Sequence, residues 1–313
     1  MITGDGLPEV VKGSLFMAYA RHQSFYLRDK WISKGLKAII NSTRFFYEDD
    51  SPEEIGLGKN MVQSLRFWMV ATEVIYEEKS NKQTEHLLTD LGKLIYHKDR
   101  LLQKNDTVSL LHYNLVRNKN DLATVFDWYF NDFKETITQR DSLLRAFTNW
   151  VYSNDKSVSQ KSLKRDIDCL VQLYTKRSEE NDPEDFIFSP FTKLNLLKEE
   201  PSEEGVENVL KVTPDINDIG IVTLYYILLK YGEEHEVSLI SLEEILNERY
   251  LWGKIFNLSR NKAIEILNNL TNHNKFPLEY VRTNNLDNVR LPKISALEYL
   301  CYEYGFSLDR VTV

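Results

Sequence analysis

Two short clusters hold the residue types that contact nucleic acid. Lys59, Asn60, Gln63 and Arg66 fall within one helical stretch, and Lys59, Gln63 and Arg66 share a face at helical spacing. Lys and Arg neutralise phosphates, while Asn and Gln bond base edges. A solvated helix face is the competing reading. Lys161, Lys164 and Arg165 form a second cationic face, with Asp166 and Asp168 close by. A third concentration lies near the start. Arg21, Arg28, Lys30, Lys34 and Lys37 stand against the single Asp29, and His22 follows Arg21. His22 reads either as a satisfied interface histidine or as part of a site. Together, Arg21, His22, Lys34, Lys59, Asn60, Gln63, Arg66, Lys161, Lys164 and Arg165 are the candidate nucleic-acid contacts.

Other chemistries have thinner support. Glu77-Glu78-Lys79 contains a Glu-x-Lys that suits a divalent ion beside a phosphate, but it falls in an expected loop. Gly56-x-Gly58-Lys59 lacks the remainder of a phosphate-loop motif and reads as a tight turn. The histidines show no metal-ligand spacing, and no Gly-x-Ser-x-Gly is present. No cofactor is identifiable, and a divalent metal is called for only if the chain nicks DNA. No catalytic residue is assigned.

The elements that would position these residues recur three times. Ser51-Pro52-Glu53-Glu54 reads as a helix start with Ser51 as N-cap, and Asn60 as the cap of the next helix. Leu163, Ile167, Leu170, Val171 and Tyr174 make a buried stripe on a helix from about 160 to 176. Asp106 and Asn120 are expected N-caps. Ser241-Leu242-Glu243-Glu244 and Ser295-Ala296-Leu297-Glu298 are capping boxes, Ser259 is a cap, and 278–291 reads as a hairpin. Phe191, Leu194, Leu196 and Leu197 are expected to dock on the core. The predicted fold is mainly α with small β wings, in tandem winged-helix-like (helix-turn-helix) modules joined by helices. Three domains are expected, at 1–105, 106–210 and 211–313.

The 313 residues carry 47 acids against 39 bases, a net charge of −8. That balance argues against nonspecific coating of nucleic acid. The acids concentrate between Ser178 and Glu207, and the remainder is nearly balanced. No apolar run reaches the roughly 20 residues of a membrane span. No signal peptide is read, and Cys169 and Cys301 are expected as buried free thiols, so a cytoplasmic location is expected.

Three blocks resemble a known family. Arg21-His22-Gln23-Ser24-Phe25 with Trp31-Ile32-Ser33-Lys34-Gly35 is the first. The stretch from Leu57 to Trp68 is the second, and that from Ser162 to Cys169 the third. Over about 13–304 the chain resembles the bacterial family of unknown function number 4007, which includes SspB-like proteins of DNA phosphorothioation clusters. It departs in having Gln23 where the resemblance leads to an acidic residue. The resemblance implies a double-stranded-DNA-binding component of a sulfur-based DNA modification and anti-phage defence system, with nicking as the activity proposed for such members. Its partners would be a cysteine desulfurase, an ATPase and an adenylyl-sulfate-reductase-like protein. The competing readings are a non-catalytic adaptor that holds sulfur-transfer enzymes, and a transcription regulator.

Overall fold

The computed structural model describes residues 18–80, 83–117, 122–154, 157–176, 188–201, 205–283 and 286–308. The chain begins with α1 (Trp31–Asn41), α2 (Ser51–Ile55) and α3 (Lys59–Ala71), then β1 (Ile75–Ser80), β2 (Gln83–Leu88) and α4 (Asp90–Lys98). Next come α5 (Asn105–Arg117) and α6 (Thr124–Asp127), which continues as a π-helical turn, Trp128–Asp132. β3 (Ile137–Gln139), α7 (Arg140–Asn154), α8 (Gln160–Thr175), β4 (Leu197–Pro201) and β5 (Glu207–Lys211) follow. The last stretch holds α9 (Ile216–Ile219), α10 (Ile221–His235), β6 (Leu239–Ser241), α11 (Leu242–Asn247), α12 (Trp252–Ile255) and α13 (Arg260–Leu270). It closes with β7 (Glu279–Thr283), β8 (Leu286–Arg290) and α14 (Ala296–Glu303).

The fold is mostly helical with small antiparallel sheets, as the helical and hairpin patterns predict. β1 pairs with β2 alone. The other two sheets share one arrangement, β3-β5-β4 and β6-β8-β7. In each, a strand preceding a set of helices pairs with the second arm of the hairpin that follows them.

Helix α5 is the axis. Its residues from Thr107 to Val116 are buried without interruption, the mark of a helix enclosed on every side. His112 sits within it. Its Nδ1 lies 2.7 Å from the Tyr174 hydroxyl on α8, and its Nε2 2.7 Å from the Ile255 carbonyl on α12. Phe130, Phe191 and Phe256 pack around the ring. Burial lowers its pKa to about 4, so the imidazole is neutral and bonds as a neutral group. Asn114 reaches the Thr72 carbonyl, so α5 also meets the end of α3.

The expected caps at Ser241, Ser259 and Ser295 are present, and Ser241 with Glu244 forms a reciprocal box. Phe191, Leu194, Leu196 and Leu197 are buried as expected. Three expected caps are different. Helix α2 starts one residue early, so Ser51 lies inside it and Asp50 is the cap position. Gly58 rather than Asn60 precedes α3, and its N-terminal end carries no side-chain cap bond. Asp106 serves another helix: its Oδ1 accepts the Thr223 amide at 2.9 Å, in the first turn of α10, while Thr223 Oγ1 donates to the Asp106 carbonyl. Asn120 lies outside the described residues. Gly220, just before α10, has φ +77°, and a Cβ there would stand 2.2 Å from Asp106 Oδ1. Gly220→Ala is therefore expected to cost about 2 kcal/mol or more, from backbone strain together with the displaced carboxylate. A lowered urea midpoint with an unchanged slope would show it.

Candidate nucleic-acid interface

The segment from Ala18 to Phe25 has little regular structure, yet it is fixed on both sides. Ala20 donates its amide to Asp166 Oδ1 at 2.9 Å, and His22 Nε2 lies 2.9 Å from the same oxygen. The Ser24 amide donates to His22 Nδ1. His22 Nε2 therefore carries the proton given to Asp166, and both ring nitrogens are used. On the other side, the Phe25 carbonyl accepts Ser64 Oγ and Trp68 Nε1, both on α3. Ala20, Gln23 and Ser24 have φ between 52° and 65°, a conformation that non-glycine residues adopt only when their surroundings impose it. The loop is thus clamped between α3 and α8.

His22 is 1% exposed. It does not reach the surface, so its role here is positional: it holds the loop while its neighbours Arg21 and Gln23 point out exposed. Asp166 is buried as well, and burial pushes its carboxyl up against the opposing pull of His22. Its Oδ2 has no hydrogen-bond partner among the described residues. Its inward position was readable, because 163, 166, 167 and 170 all lie on the buried stripe of α8.

A cleft of about 490 Å³ opens beside this loop. Arg21 and Gln23 line it from the loop, Gln63 and Arg66 from α3, and Glu77 from β1. Phe46, Tyr47 and Val70 supply apolar wall. Glu77 and His86 are direct cross-strand partners, which places their side chains together. Glu77 Oε1 takes Arg66 Nε at 3.0 Å and Nη2 at 2.6 Å, with His86 Nε2 at 3.3 Å. The hydrogen bond from His86 and then the Arg66 guanidinium lower the Glu77 pKa to about 2, against the opposing effect of burial. Arg66 also lies over the Tyr47 ring, which stacks on His86.

Glu77-Glu78-Lys79 is therefore strand rather than loop; alternation turns Glu78 to the other face, and of the three only Glu77 lines the cleft. Among the described residues no three His, Cys, Asp or Glu side chains gather in a way that could hold a metal ion.

The structure brings Arg21, Gln63 and Arg66 to one cleft. Lys59 and Asn60 are exposed in the first turn of the same helix, α3. Lys161, Lys164 and Arg165 are exposed on α8, the helix that holds the loop from the other side. Lys34 is elsewhere: its Nζ donates to the Ile55 carbonyl at 3.1 Å, in a separate depression with Lys37 and Glu54. Sequence reading did not assign Gln23, Tyr47 or Glu77 to the site, and only the Glu77 strand alternation left a signal.

The family model for a protein of unknown function, DUF4007, matches residues 19–304. The chain belongs to this family. The family match spans both the clamped loop and the helices on either side of it. No curated protein matches this DUF4007 chain. A crystal structure of magnesium-ion-bound SspB matches with a TM-score of 0.80 at 20% identity, over 92% of this chain and 88% of that one. A second SspB crystal structure matches with a TM-score of 0.78 at 19% identity, over the same shares. The shared feature is the fold. No helix of the described residues is long and apolar enough to cross a membrane.

Two outcomes follow from the geometry. His22→Ala leaves the Asp166 carboxylate buried without its main partner, so it is expected to cost about 3 kcal/mol or more. Adding Asp166→Ala should recover part of that loss in a double-mutant cycle of urea melts; strictly additive costs would deny the coupling. Glu77 titrates lower in the folded state than its ordinary 4.5. Its ionised form therefore contributes stability in full above pH 4.5 and loses it as pH falls toward about 2. The side chain is 38% exposed, so screening keeps the effect below about 1 kcal/mol. The advantage of the wild type over Glu77→Gln should narrow over that pH range.

Proposed function

We propose that this chain is a DNA-binding component of a bacterial DNA phosphorothioation system, with nicking of the backbone as its candidate activity. One observation carries the reading. The loop displaying Arg21 is tied through the buried His22–Asp166 contact to the helix bearing Lys161, Lys164 and Arg165, and through the Phe25 carbonyl to the helix bearing Lys59, Asn60, Gln63 and Arg66. Lys59, Lys161, Lys164 and Arg165 are exposed and form no ion pair among the described residues, so their charge is available to phosphates. The amides of Asn60 and Gln63 on the same helix add base-reading chemistry.

Two further features support this reading. The shared arrangement of the second and third sheets, with the leading strand paired to the far arm of the hairpin, agrees with winged-helix modules. Membership in the family and the fold shared with SspB agree with the phosphorothioation setting. In that setting the partners are duplex DNA, a cysteine desulfurase, an ATPase and an adenylyl-sulfate-reductase-like protein. Nicking is left without assigned catalytic residues, because no hydrolytic constellation accompanies Glu77.

The test is fluorescence anisotropy on labelled duplex DNA across a salt series. Affinity should fall linearly on a log–log plot as salt rises. Arg21→Glu with Lys59→Glu should weaken binding at least tenfold at moderate salt, as should reversal of Lys161, Lys164 and Arg165. Unchanged affinity in both sets would sink the reading. Supercoiled plasmid incubated with and without Mg²⁺ reports separately on nicking.

A further inference from the structure

The cleft beside the loop has a composition that phosphate binding does not explain. Arg66, one of the two cations that line it, is already matched by Glu77. What remains open is a carboxylate oxygen, two primary amides and an apolar wall. Among the described residues, every hydrogen bond to the Glu77 side chain runs to Oε1, which leaves Oε2 as a free acceptor on the cleft. Gln23 and Gln63 each offer a donor and an acceptor. Phe46 and Tyr47 give flat apolar surface, and Tyr47 is 40% exposed. A volume of about 490 Å³ lies within the range of small-ligand sites and accommodates one nucleotide.

We propose that this cleft receives a single nucleobase turned out of the duplex, and that it favours bases with an exocyclic amino group (cytosine, adenine or guanine) over thymine, which has none. The amino N–H donates to Glu77 Oε2, the amides of Gln23 and Gln63 bond the remaining edge, and Arg21 at the loop meets the adjoining phosphate. An ionised carboxylate only accepts hydrogen bonds, so it disfavours thymine, whose one edge donor, N3–H, is flanked by the acceptors O2 and O4. This inference rests on the DNA-binding reading above and adds what the cleft does within it. A base already unpaired spares the protein part of the cost of extrusion, so prior unpairing tightens binding.

The experiment compares four kinds of labelled duplex by anisotropy at one salt concentration: fully paired, and with a central cytosine, adenine or thymine opposite an abasic site. Binding about tenfold tighter to unpaired cytosine or adenine than to the paired duplex, with a smaller gain for thymine, is the expected result. Glu77→Gln should erase the distinction between bases. Val70→Trp, which fills the cleft from its apolar wall and keeps Glu77 itself, should reduce the ratio of unpaired to paired affinity for every base. An equal gain for all three bases would overturn the edge reading. No gain for any, with the paired duplex still bound, would overturn the base pocket and leave DNA binding standing. Failure to bind any duplex at low salt would remove both.

Discussion

The contact between His22 and Asp166 is the constraint on which the arrangement of the site depends. It joins residues 144 positions apart, and both are buried. Burying a carboxylate and an imidazole costs desolvation that their attraction only partly returns. Its value is therefore positional. Without it, the loop with three residues at positive φ between Ala20 and Ser24 would lose its main tie to α8, and Arg21 and Gln23 would be less firmly held between α3 and α8. The Ala20 amide on Asp166, and the Ser64 and Trp68 bonds to the Phe25 carbonyl, extend the same clamp. The strained loop persists because its surroundings over-determine it.

Net charge gives a poor account of this surface. The chain carries −8, yet its cations are divided into used and unused sets. Arg66 is spent on Glu77, Lys34 on a helix-end carbonyl, and Arg249 on Asp127 and Asp132. Among the cations with no ion pair among the described residues are Lys59 on α3 and Lys161, Lys164 and Arg165 on α8. Pairing cancels a cation with an anion, so the field a polyanion meets at a given face is set by the cations left unpaired there rather than by the net charge of the chain.

Local signals were legible and long-range ones were not. The stripe on α8, the capping box at Ser241 and the hairpin at 279–290 depend on residues a few positions apart, and all three stand in the structure. Asp106 obeys a different rule. As a residue type it is a good cap, but the amide it satisfies belongs to Thr223, 117 positions on. Asn60 and Ser51 failed as caps because their helices start earlier, with Gly58 two residues before Asn60 and Asp50 one before Ser51 in the cap positions. The site divides in the same way. Exposure of Lys59, Gln63, Lys161, Lys164 and Arg165 followed from helical periodicity, whereas the burial of His22 depended on a partner that no local pattern names.

The polar end of the cleft has a physical origin in the first hairpin. A two-stranded sheet leaves its cross-strand pairs to define its faces, and the pair Glu77–His86 sets a carboxylate against a ring that Tyr47 and Phe46 cover. Arg66 then completes the charge balance from the helix. Once that balance closes, the polar end of the cleft around Glu77 presents fixed hydrogen-bond groups of known polarity, and Arg21 keeps its charge at the loop. Such a surface discriminates by matching donors to acceptors, since a mismatch leaves two acceptors face to face in a partly dry site. Affinity for the polymer can then come from the unpaired lysines and arginines outside the cleft, and selection from the neutralised cluster within it.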